Sequence, residues 1–227
     1  DAFFNSESKQ AEAFRTLRAS LSLLGTEDSA RRIFLVTSAV PAEGKSFSSL
    51  SLAHAFALNG YRTVLIEGDM RRPGFHSCFP ELATRETPGL TNVLSGNLAI
   101  DEVLVQSPEE NLNIMFAGSR APNPAELLAH GAFDKVVEEL KKDFDRIIID
   151  TAPINSVSDT LMMISAAQYV CLILRPGKTR RRAITRAIGL IEKASGVLAG
   201  FVINRAKFSV GSGYYYYYYG DRYASSK

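Results

Sequence analysis

The chain has 227 residues, 46% of them hydrophobic, which is enough for one sizeable α/β core and asks for no second domain. With 26 Lys and Arg against 24 Asp and Glu, the net charge is +2, so no global basic surface argues for nucleic acid and any anion site must be local. Two cysteines, Cys78 and Cys171, are too few for a disulfide framework or a thiol-ligated metal and fit a reducing cytosol, and the longest apolar run, 166–174, is far short of the roughly 20 residues a membrane helix needs.

The first residue is Asp1, with no initiator Met and no basic-then-apolar signal segment, so the expectation is a soluble domain cut from a longer protein. Residues 6–24 place Ala11, Phe14, Leu17, Leu21 and Leu24 at spacings of three and four, the pattern of an amphipathic helix with Ser6 as its cap. Glu12, Arg15 and Arg18 lie three apart along one side of it, an ion-pair ladder on the plainest reading. A strand is predicted at 33–38. It runs into Ala39-Val40-Pro41-Ala42-Glu43-Gly44-Lys45-Ser46 and then a helical stretch, 47–58.

That turn is a phosphate-binding loop with Ala39 in place of the usual first glycine. Backbone N–H groups from Ala42, Glu43, Gly44 and Phe47 would cradle phosphates, Lys45 would reach the outer ones, and the Ser46 hydroxyl would ligate Mg²⁺. The plain alternative is a strand–turn–helix with an exposed lysine.

Further strands are predicted at 63–67, 112–116, 146–150, 169–174 and 200–204, with helical patterns between them. Their lack of polar alternation predicts a doubly wound, mostly parallel sheet covered on both faces, in three α/β/α layers, with ligands at the carboxyl ends of the strands. Two of those ends are acidic, Glu67-Gly68-Asp69-Met70-Arg71 and Asp150-Thr151-Ala152-Pro153. Singly each reads as a solvated loop acid. Beside a phosphate loop they predict a catalytic crevice in which Asp150 and Asp69, with Ser46, hold Mg²⁺, and Glu67 accepts the proton of an incoming hydroxyl.

His54, His76 and His130 lack metal-ligand spacing, and Arg180-Arg181-Arg182 reads first as a solvated basic cluster. From residue 208 the composition changes. Gly211-Ser212-Gly213 precedes six consecutive tyrosines, Tyr214, Tyr215, Tyr216, Tyr217, Tyr218 and Tyr219, and then Tyr223. Division into a folded domain, 1–207, and a mobile tail, 208–227, is expected. So dense an aromatic tract is sticky in water, and phosphorylation would make it self-repelling, which suggests a switch.

Together these motifs resemble the bacterial P-loop tyrosine kinases of capsule and exopolysaccharide systems, over nearly the whole chain. The likeness rests on the phosphate loop, the second acidic motif (Glu67 where that family usually has Asp), and the Asp-x-x-Pro at Asp150. It extends to Glu12-x-x-Arg15-x-x-Arg18, Asn123-Pro124-Ala125-Glu126-Leu127-Leu128, Arg175-Pro176-Gly177-Lys178-Thr179 and the tyrosine-rich end. The resemblance implies an ATP-dependent kinase that modifies its own tyrosine cluster in trans and leaves ADP. It implies contact between subunits through Glu12, Arg15 and Arg18 in an octamer-like ring, and an adenine-facing position at Asn204 and Arg205. It also implies work at the cytoplasmic face of the bacterial inner membrane, with a transmembrane polysaccharide co-polymerase, fused upstream or separate, and a resetting phosphatase. Partition and division-site ATPases share such a sheet but carry a second lysine where this chain has Val40. A nucleotide-binding scaffold without activity is the third reading, favoured only by Glu67.

Overall fold

The computed structural model describes residues 8–25 and 32–206. Its strands are β1 (Ile33–Ser38), β2 (Thr63–Glu67), β3 (Leu104–Gln106), β4 (Leu112–Met115), β5 (Arg146–Asp150), β6 (Tyr169–Leu174) and β7 (Leu198–Ile203). They form one seven-stranded sheet in the order β3-β4-β2-β5-β1-β6-β7. Every pairing is parallel except that of β3 with β4. The expected doubly wound, mostly parallel α/β sheet is therefore present. The antiparallel edge strand β3 was not foreseen, because three residues with no buried member carry no readable period.

The eight α-helices among the described residues are α1 (Lys9–Ser22), α2 (Lys45–Ala57), α3 (Phe75–Cys78), α4 (Leu90–Leu94), α5 (Pro124–Leu127), α6 (Ala132–Leu140), α7 (Asp159–Met163) and α8 (Arg181–Lys193). None is long and apolar enough to cross a membrane. The cap of α1 is Ser8, not the expected Ser6: its backbone is extended and its Oγ accepts from the Ala11 amide at 3.1 Å, one of the donors a helix start leaves open.

Alternation along the central strands explains the two layers of helix. Leu35, Val64, Ile66, Ile147, Ile149 and Leu172 face Phe133 and Val137 of α6, Met163 of α7 and Ile191 of α8. Phe34, Val36, Leu65, Ile148 and Ile173 face Leu21 of α1 and Leu50, Ala53 and Phe56 of α2. Every residue of β1, β2 and β5 is buried. Such strands read in sequence as unbroken apolar runs, and each large side chain buried adds roughly 1.5–3 kcal/mol. Cys171 lies inside β6, where burial pushes its thiol up to about 12, so it packs as a small hydrophobe.

The carboxyl ends of β1, β2 and β5 meet at one place because β5 sits between the other two. Gly68 makes that meeting close. Its N–H donates to the Asp150 carbonyl at 2.7 Å, and a Cβ there would lie 2.8 Å from the same oxygen.

Candidate active site

The phosphate loop leaves β1 at Ala39, whose methyl is fully buried, so the alanine in place of the first glycine is accommodated by the core. Ala42 (φ 62°) and Gly44 (φ 93°) turn the chain back into α2. Gly44 is required twice: for its left-handed backbone, and because a Cβ would lie 1.9 Å from the Asn204 amide nitrogen. The amides of the first turn of α2 have no carbonyl within the helix and carry the positive end of its dipole, which makes the loop an anion cradle.

Four of the expected residues, Lys45, Ser46, Asp69 and Asp150, converge at the mouth of this loop. The Lys45 Nζ lies 3.3 Å from Ser46 Oγ, 3.4 Å from Asp69 Oδ2 and 3.9 Å from Asp150 Oδ2. Ser46 Oγ donates to Asp150 Oδ2 at 2.7 Å, and Ser49 Oγ donates to Asp150 Oδ1 at 2.9 Å. Burial pushes the Asp150 carboxyl up to about 6, against the downward pull of Lys45, Ser46 and Ser49. A buried acid that resists ionisation, next to a hydroxyl and a second acid, gains from a divalent cation. Mg²⁺ usually takes one or two carboxylates and completes its shell with water and phosphate oxygens, so Ser46, Asp69 and Asp150 are a donor set that fits it.

Glu67 is placed differently from the expected proton acceptor. Its Oε1 accepts from the amides of Gly74 and Phe75 at 2.5 and 2.8 Å, and its Oε2 accepts from Ala117 at 3.0 Å. The carboxylate is buried and fixes the 72–75 turn and the end of β4 to the end of β2. Asp69 is freer: Oδ1 accepts from the Arg72 amide at 3.1 Å while Oδ2 faces Lys45.

The side chain of Glu43 is turned away from the cradle and fully buried. Its Oε2 accepts from the Val40 amide at 3.0 Å and its Oε1 from the Thr179 hydroxyl. Asn204 closes the same knot, its Nδ2 donating to the Glu43 carbonyl at 2.9 Å and its Oδ1 accepting from the Arg205 amide at 2.8 Å. Asn204 thus stands beside the loop, with Arg205 next to it in the chain. The Phe47 ring turns towards α1 and meets Phe14 edge-on at 5.8 Å, leaving its backbone for the cradle.

Elsewhere, Glu12 and Arg15 form an exposed ion pair at 2.8 Å, and Arg18 has no ion pair among the described residues. His54 meets Glu109 at 2.8 Å in the last turn of α2, away from the loop. Tyr214, Tyr215, Tyr216, Tyr217, Tyr218, Tyr219 and Tyr223 lie outside the described residues.

Two contributors, Ser49 and Asp159, were not singled out in the sequence, and Thr179 was named only within a motif. Ser49 stands one turn beyond Ser46 on α2, a spacing that could have signalled it. Thr179 left no signal of its link to Glu43. Asp159, buried at the start of α7, takes Arg71 in a two-pronged pair at 2.6 and 2.9 Å, and only the fold brings them together.

A family model described as an AAA domain matches residues 41–195, more than half of the chain. The tyrosine-protein kinase CpsD of Streptococcus agalactiae is 33% identical over 222 residues, 98% of this chain and 95% of that one. The kinase domain of the Escherichia coli tyrosine kinase ETK superposes with a TM-score of 0.82 at 28% identity, covering 94% of this chain and 84% of that one. A septum site-determining protein of Pyrococcus horikoshii, MinD, complexed with Mg-ADP, gives a TM-score of 0.65 at 19% identity over 79% of this chain and 72% of its own, which is a likeness of fold. The chain belongs to the bacterial P-loop tyrosine kinases of capsule and exopolysaccharide systems.

Proposed function

We propose that this tyrosine kinase transfers the γ-phosphoryl group of ATP to the tyrosine cluster of its own chain, between neighbouring subunits, and that the modification weakens the assembly. The observation that carries the reading is the convergence of Lys45, Asp69, Asp150 and Ser46 within 4 Å at the mouth of a phosphate loop, in a chain that also holds six consecutive tyrosines.

With nucleotide bound, Lys45 would turn from Asp69 and Asp150 to the outer phosphates. Both carboxylates and Ser46 would hold Mg²⁺, which would supply charge neutralisation at the transferring group. Such transfer needs chiefly positioning and electrostatic stabilisation, with little help from a base. The hydroxyl proton goes to Asp69. Glu67 would first have to give up its backbone amides, and its role is to brace the strand ends. The cradle is the backbone from Ala42 to Phe47, with Asn204 and Arg205 at its side for the base. Residues 1–207 form the kinase domain and 208–227 the acceptor segment. From residue 207 to Tyr219 there are about a dozen residues, a reach of ~40 Å when extended, enough to span to a neighbour.

Glu12, Arg15 and Arg18 make the subunit contact in a ring of octamer-like size. Charge accumulating on the tyrosine cluster loosens that ring and so regulates polysaccharide chain length and export. The partners that follow are a transmembrane polysaccharide co-polymerase at the cytoplasmic face of the inner membrane and a phosphatase. Val40, in place of a second lysine, favours transfer over the hydrolytic switch of the partition ATPases. Incubation with γ-labelled ATP and peptide mapping tests the reading: label should fall on the 214–223 peptide, and label released only as inorganic phosphate would refute it.

A further inference from the structure

Beside the reacting carboxylates lies a cavity that the transfer chemistry leaves unused. It is open, about 520 Å³, and lined by Arg71, Arg72, Arg120, Ala121 and Pro122. That volume is within the ordinary range for a small-ligand site. Arg71 forms one wall and is fixed by its pair with Asp159. Arg72 and Arg120 are exposed, and neither guanidinium has an ion pair or hydrogen bond among the described residues. Two free guanidinium groups select a dianion that can take parallel N–H bonds. Ala121 and Pro122 add an apolar surface for a flat ring. The cavity also adjoins the reaction: the Arg72 amide donates to Asp69 Oδ1, whose other oxygen lies 3.4 Å from Lys45.

We propose that this cavity is a phosphotyrosine subsite, the ring lying on Ala121 and Pro122 and the phosphate between Arg72 and Arg120. This deepens the reading of the tyrosine cluster as acceptor and rests on it. In an extended segment, tyrosines two residues apart lie on the same side about 7 Å from one another. A tyrosine already modified and held here therefore presents a second one to Asp69 and the nucleotide, and one transfer promotes the next along the tract. The cavity neutralises a single phosphate. Further phosphates on the same segment repel one another, and the heavily modified segment departs.

The test uses the full chain with its Tyr214–Tyr219 and Tyr223 changed to Phe, saturated with MgADP so that the phosphate loop is filled. Two fluorescent peptides of sequence 211–223, carrying phosphotyrosine or tyrosine at position 217, are titrated by anisotropy. The phosphopeptide should bind about tenfold tighter, and R72A/R120A should remove that preference while leaving the unmodified peptide's Kd and the melting temperature unchanged. Equal affinities, or a preference that survives in R72A/R120A, would overturn the subsite. Labelling from ATP separates the two readings. If the phosphopeptide binds through Arg72 and Arg120 but neither peptide is labelled, the subsite stands and the cluster is not the acceptor. If both are labelled without any difference in binding, the acceptor stands and the subsite falls.

Discussion

The Thr179 hydroxyl donates to the buried Glu43 carboxylate across the base of the phosphate loop, tying that loop to the turn after β6. A carboxylate pointing into the cradle would repel ATP, whereas here it spends its charge on the Val40 amide and Thr179. E43Q keeps the shape but loses the charge, and bonds to an ionised group are worth about 1.5–3 kcal/mol each. Steady-state labelling should show the KM for ATP raised about tenfold with kcat changed less than threefold.

Glu67 braces three backbone amides, so shortening it should harm the fold more than the chemistry. E67D cannot reach both the 74–75 amides and Ala117. Urea unfolding should show a loss of about 2 kcal/mol or more, with transfer no faster than in the parent. A faster E67D enzyme would restore Glu67 as the proton acceptor.

Asp150 carries opposite demands from fold and function. Its carboxyl is pushed up to about 6 from an ordinary value of 3.8, so between those values the folded state binds more protons than the unfolded one and stability falls as pH rises. D150N removes that cost. In the absence of nucleotide and metal, calorimetry should show D150N melting higher than the parent at pH 7, the gap closing towards pH 4. Transfer by D150N should fall by orders of magnitude.

Neutralising Glu12, Arg15 and Arg18 together removes one exposed intrahelical pair, which stabilises the fold by about 0.5 kcal/mol or less. The melting temperature should hardly move, while sedimentation should show the oligomer replaced by monomers. An unchanged mass would make the three residues a solvated helix face.

Strands β1, β2 and β5 were legible because each is an unbroken apolar run, and Lys45, Ser46, Asp69 and Asp150 were legible because each stands at a strand end or loop of known chemistry. What stayed hidden depends on contacts distant in sequence. Glu67 was legible as an acid at a strand end, but its direction is fixed by an amide 50 residues away. The links of Glu43 to Thr179 and Arg71 to Asp159 span 136 and 88 residues, and no spacing rule reaches so far. Ser8 displaced Ser6 as a cap by two residues, a limit set by the several polar residues that precede α1.

Transfer of phosphate to the tyrosine cluster of a neighbouring subunit is tested most directly by mixing a K45A chain, expected to be unable to transfer, with a chain whose Tyr214–Tyr219 and Tyr223 are all Phe, and supplying γ-labelled ATP. Label on the tyrosines of the K45A chain is the predicted result; an unlabelled mixture, with the parent chain labelling normally, would contradict it.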